Sequence, residues 1–192
     1  MQRPLPAFLI LLTTLLSLAS GPAAHADPGA TTVPVPGADA LAIGIPAAWK
    51  KEMEKSSHDA PPTITLTTPS GLKVSLTLMS DAEGKFATPD AVDELVTIAN
   101  QHYIDNAVEK DPKLVHLTPK VGHGSYSTFT EARLVGVASP APGDFRNVTS
   151  GVYVIGHDAV IFTILSNDTV SAEFRQAMDL ISSGISVAAG GS

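Results

Sequence analysis

The sequence predicts an α+β domain, a largely antiparallel β-sheet with helices packed on it as an α/β/α layered sandwich. Three observations carry that prediction. Residues 63–67 and 72–78 alternate apolar and polar side chains around Pro69-Ser70-Gly71, the pattern of a β-hairpin. Two segments, one after Thr88 and one after Asn167, place apolar residues at helical spacing. Late in the chain come runs that are apolar on both faces, as strands covered on both sides are. Strand, hairpin, helix, several strands, helix is an order that packs in layers around one core.

Taken in chain order, Leu41, Ile43 and Ile45 share one face of an opening strand that Pro46 stops. Trp49, the only tryptophan, follows three residues later and is assigned to one end of the core, with an exposed binding role as the alternative. Residues 50–55 mix charges and read as a solvated turn of helix. The hairpin comes next; its polar face (Lys73, Ser75, Thr77) places it near a sheet edge. A helix then starts at a Thr88 cap, with Pro89 in the first position and Asp90, Asp93 and Glu94 near its positive end. Val92, Leu95, Val96, Ala99, Tyr103 and Ala107 carry its buried face to about Val108. Buried strands are expected at 133–137, 151–155 and 159–165, the last two joined by a tight turn at Gly156-His157-Asp158. Val170, Phe174, Ala177, Met178, Ile181 and Ile185 mark the closing helix.

Residues 1–26 have the order of a cleavable export signal. Arg3 supplies the positive start, residues 8–18 an apolar stretch too short to span a bilayer, and Ala24-His25-Ala26 a small-x-small cleavage site before Asp27. The chain contains no cysteine, which closes the lipoprotein route and excludes thiol catalysis and cysteine metal sites. The expected product is periplasmic or secreted. It has a leader at 27–38 rich in proline and glycine, one globular domain at 39–186, and a frayed tail at 187–192. No transmembrane segment is expected after cleavage. A formal net charge of −7 argues against nucleic acid as a partner, since that needs a basic footprint.

A strand ending Ile43-Gly44-Ile45-Pro46-x-x-Trp49, an early hairpin, a long middle helix, late buried strands and a closing helix around Phe174-Arg175-Gln176-Ala177-Met178-Asp179-Leu180-Ile181 resemble the PsbP/Mog-like α/β/α sandwich group. The resemblance spans roughly residues 41–185. It implies a binding or assembly function, because members of that group are mostly non-enzymatic, and it transfers no individual site residue.

The residues that bear chemistry leave three readings. Pro140, Pro142 and Gly143 form a rigid loop tip, a candidate contact for an envelope or extracellular protein. His116, His123, His157 and Asp158 offer imidazole nitrogens and a carboxylate, the donor set of zinc or copper, if their strand ends converge. Ser125, in Gly122-His123-Gly124-Ser125, is the candidate nucleophile of a hydrolase. It lacks the strand-to-helix elbow, because residues 126–129 read as a strand. The leading expectation is a non-catalytic exported binding or accessory protein. A small-ligand or metal binder is the alternative, and a hydrolase comes third.

Overall fold

A computed structural model describes residues 29–37, 39–54 and 61–188. The export signal and its Ala26-Asp27 cleavage point lie outside them. The described chain forms two antiparallel sheets and their covering helices. Strands β1 (Ala30–Val33), β2 (Leu41–Gly44) and β10 (Ile185–Val187) make a small sheet in the order β1-β2-β10. The main sheet contains β3 (Lys50–Glu54), β4 (Thr63–Thr67), β5 (Lys73–Ser80), β6 (Val115–His116), β7 (His123–Thr130), β8 (Asn147–Ile155) and β9 (Asp158–Ser166). Its order is β3-β4-β5-β9-β8-β7-β6. The helices are α1 (Pro89–Ala99), α2 (Gln101–Ile104) and α3 (Ala172–Ser183).

The two faces of the main sheet are filled unequally. On one, Ile64, Leu66, Val74, Leu76, Val160, Phe162 and Ile164 pack against Phe174, Ala177, Leu180 and Ile181 of α3 and against Val33, Leu41 and Ile43 of the small sheet. Each large side chain buried there stabilises the fold by about 1.5–3 kcal/mol. Trp49 is buried in this cluster, as its core assignment expects. On the other face, α1 sets Val92 and Val96 on Val152, Val154 and Ala159. Strand alternation decides the side: Val154 packs under α1, while its neighbour Ile155 belongs to the larger core.

Local chemistry explains the element ends. Thr88 accepts the Ala91 N–H at the start of α1, and Ser171 accepts the Phe174 N–H at the start of α3. Glu173, in the first turn of α3, accepts the hydroxyls of Thr68 and Ser70, tying that helix to the β4–β5 turn. Gly156 takes a φ of +60° in the two-residue turn that pairs Ile155 with Asp158.

Several expectations change. Residues 133–137 are no strand: Ala132–Leu134 is a 3-10 turn, and Val135 and Val137 are exposed. The middle helix breaks at Asn100, whose side-chain amide donates to the Ser150 carbonyl of β8, so α1 stops at Ala99 and only the short α2 follows. Residues 50–54 form an edge strand, not a turn of helix; its charged side chains Lys50, Lys51, Glu52 and Glu54 are exposed, which discourages pairing with another chain. The hairpin therefore sits one strand inside the edge. The leader contributes β1, with Val33 and Val35 buried, and the start of the expected tail contributes Val187 to β10. Val170 lies before α3 and is exposed, and Ile185 is buried from a strand. No described helix is long and apolar enough to cross a membrane.

Candidate functional site

The connection between β7 and β8, residues 131–146, is built from turns tied together by polar side chains. Its ends meet where the Glu131 N–H donates to the Arg146 carbonyl at 2.7 Å, one step beyond the Thr130–Asn147 pair of the sheet. Between them the sequence writes two turns of one kind. Val135, with φ −62° and ψ 127°, precedes Gly136 at φ +76°, and the Val137 N–H donates to the Leu134 carbonyl at 3.2 Å. Pro142 precedes Gly143 at φ +91°, and the Asp144 N–H donates to the Ala141 carbonyl at 2.9 Å. Both are type II turns, which need glycine in the third position and favour proline in the second.

Polar side chains hold these turns in place. The Arg146 guanidinium donates to the Val137 carbonyl and, at 2.9 Å, to that of Ala138. Arg133 donates to Asp144 at 2.8 Å and lies 3.5 Å from Glu131. The hydrogen bond from Arg133 holds the Asp144 carboxyl below its ordinary range. Asn167, from the β9–α3 connection, accepts the Arg146 N–H at 3.0 Å. Leu134 is buried as the apolar root of the loop, whereas Val135 is 62% exposed and Val137 37%. Val170, near Asn167, is 74% exposed.

Of the residues singled out for partner contact, Pro142 and Gly143 are exposed at the second turn and Pro140 is half-buried. The sequence reading missed Val135 and Val137. The run Arg133-Leu134-Val135-Gly136-Val137 has the composition of a strand; Gly136, an isolated glycine within it, was the available turn signal.

The candidate metal set divides. His116 and His123 lie on the α1 face of the main sheet, where His123 is paired with Val154 and His116 with Ser125. Asp158 is paired with Ile155 and shares its strand face with Val160, on the side of the larger core. His123 Nε2 is 2.9 Å from the Phe86 carbonyl, His116 Nε2 is 3.5 Å from Asp93, and His157 is exposed in the β8–β9 turn. Among the described residues no group of three or more histidines and carboxylates is placed to hold a metal ion. Asp158 itself is 2% exposed, and its Oδ1 has no hydrogen-bond partner. Burial first, and then the nearby Asp39 carboxylate, push its pKa up, against a smaller opposite effect of His157.

Ser125 has neighbours of the residue types a hydrolase would use, since His116 is its cross-strand partner and Asp93 lies beside His116. Its geometry differs from that of a presented nucleophile. Ser125 is fully buried and its Oγ has no hydrogen-bond partner, so nothing joins it to the imidazole.

No protein-family model matches this chain, and no curated protein resembles it closely enough to count as a relative.

Proposed function

We propose that this is a non-catalytic exported protein that binds a partner protein in the envelope or outside the cell, with the 131–146 loop as its contact. The observation that carries the reading is the combination of exposed aliphatic side chains and polar bracing in one loop. Val135 and Val137 sit in water at the corners of a segment whose backbone is tied by Arg146, by the Arg133–Asp144 ion pair and by Asn167. A loop held in this way loses little conformational freedom on docking, so burial of its apolar side chains is converted into affinity with less entropic loss. The sandwich-like pattern of the sequence supports the same class of function, since the group it resembles works mostly by binding.

Crosslinking from a photoreactive residue at position 135, in the native envelope, tests the reading. A membrane or extracellular protein that is captured, lost with Val135→Asp/Val137→Asp and retained with Ile98→Asp on α1 is the expected result. A partner retained by the loop variant refutes the loop as the contact. Turnover of an ester, peptide or phosphate substrate that one point substitution abolishes refutes the non-catalytic reading.

A further inference from the structure

The main sheet ends at β3 on one side and at the two-residue β6 on the other, so β3 is its longer edge. All five residues of β3 are exposed. Pairing with β4 fixes their sides. Lys51 and Met53 stand opposite Leu66 and Ile64, on the face of the larger core, whereas Lys50, Glu52 and Glu54 stand opposite Thr67, Thr65 and Thr63 on the other face. Met53, 46% exposed, lines an apolar crevice of about 280 Å³ together with Val33, Pro34, Val35, Pro36 and Pro62. The charges along the strand are ordered, with two lysines at its start and two glutamates toward its end.

We infer that β3 is the interface for a second copy of this chain, the two strands pairing antiparallel about a twofold axis at Glu52. A charged edge turns away strands in general, because an arbitrary neighbour leaves its charges unmet. The same strand running the other way meets them: reversal lays the lysine half of one copy on the glutamate half of the other. With the axis at Glu52, Lys50 of each copy faces Glu54 of the other, and opposed residues share a face, so both sides of the sheet continue across the axis. Glu52 opposite its own copy is the one like-charged contact, and Lys50, 2.6 Å from Glu52 on the same strand, offsets it. That ion pair is exposed on both sides, so it gives way to cross-strand pairing at little cost. On the larger-core face, the aliphatic stem of Lys51 lies across Met53 of the other copy and shields the apolar crevice beside it. The edge backbone groups gain ladder partners, and because the contact is twofold it uses up both β3 edges and closes at two copies.

The test is sedimentation velocity of the purified protein across a concentration series. The wild-type chain is expected to pass from one copy to two and no further. Lys50→Glu/Lys51→Glu makes the edge wholly negative, and Glu52→Lys/Glu54→Lys makes it wholly positive. Each is expected to weaken the dimer about ten- to a hundredfold, since the twofold axis counts every attractive pair turned repulsive twice. Mixed in equal amounts, the two variants are expected to pair with each other at least as tightly as the wild type pairs with itself. Carbodiimide coupling of mixed isotope-labelled and unlabelled wild-type chains is expected to join Lys50 of one copy to Glu54 of the other, which fixes the register. A wild-type chain that stays single at millimolar concentration, a dimer that survives in both charge variants, or variants whose spectra show them folded but which fail to pair when mixed overturns the inference. A dimer lost with Val135→Asp/Val137→Asp and indifferent to the edge variants overturns it too, and moves the self-contact to the β7–β8 loop.

Discussion

Arg146→Ala should loosen the contact loop without loosening the sheet. The guanidinium of Arg146 holds the Val137 and Ala138 carbonyls from behind, while its own backbone closes the base of the loop through Glu131 and Asn167. The substitution removes the first pair of contacts and leaves the second. A hydrogen bond from a charged donor contributes about 1.5–3 kcal/mol when shielded. These reach solvent, so the two together are worth roughly 1–2 kcal/mol. At 1.4 kcal/mol per factor of ten, amide exchange in the loop should accelerate about five- to thirtyfold. Two amides report it directly, those of Val137 and Asp144, each donating within its own turn. The amides of β8 and β9, deep in the sheet, should exchange as before, and Arg146→Lys should fall between, since an ammonium lacks the guanidinium fork. Partner binding should weaken with the same rank order. Unchanged exchange at Val137 and Asp144 would refute the claim that Arg146 braces the loop, and with it the argument that the loop is preorganised.

Four other expectations rest on the packing of the sheet. Gly151→Ala would set a methyl 2.3 Å from the Ser125 carbonyl oxygen and 2.7 Å from the Phe162 ring, so a loss of about 2–4 kcal/mol is expected in urea unfolding, and a loss under 0.5 kcal/mol would contradict the packing. Asp158→Asn should stabilise the fold at neutral pH, by about 1–3 kcal/mol. Because the folded carboxyl has a raised pKa, its penalty is absent below the unfolded carboxylate pKa and complete above the folded one; the variant's advantage should therefore vanish in acid, and an advantage that grows in acid would reverse the assignment. Ser125→Ala, which removes a buried hydroxyl that bonds to nothing, should be neutral or stabilising by about 1 kcal/mol, and a serine-directed phosphonate probe should leave Ser125 unlabelled. No bound zinc should depend on both His116 and Asp158, because the two residues stand on opposite faces of the sheet; zinc measured by elemental analysis in untagged protein and lost in both His116→Ala and Asp158→Asn would refute that separation.

Period-two and period-3.6 patterns were enough to locate the β4–β5 hairpin, the first three turns of α1, the β8–β9 pair and α3, because each buries a face whose spacing is local. Trp49 was legible for a similar reason: one large aromatic in a chain with few of them belongs in the core. What the tertiary structure alone decided is which apolar runs find a partner. Arg133-Leu134-Val135-Gly136-Val137 has strand composition, yet β7 and β8 already pair with each other along their lengths, and the segment that joins them turns outward at Gly136. Ala30–Val33 has three β-branched residues but lies in a leader rich in proline and glycine, and it becomes a strand because β2 offers it an edge over the core. The helix was legible up to Ala99, but its end was not, since the group that stops it, the Ser150 carbonyl, is fifty residues away. The candidate site divides along the same line. Histidines and carboxylates are countable in a sequence, but which face of a sheet each occupies depends on pairing register, where a one-residue step carries a side chain through to the other side.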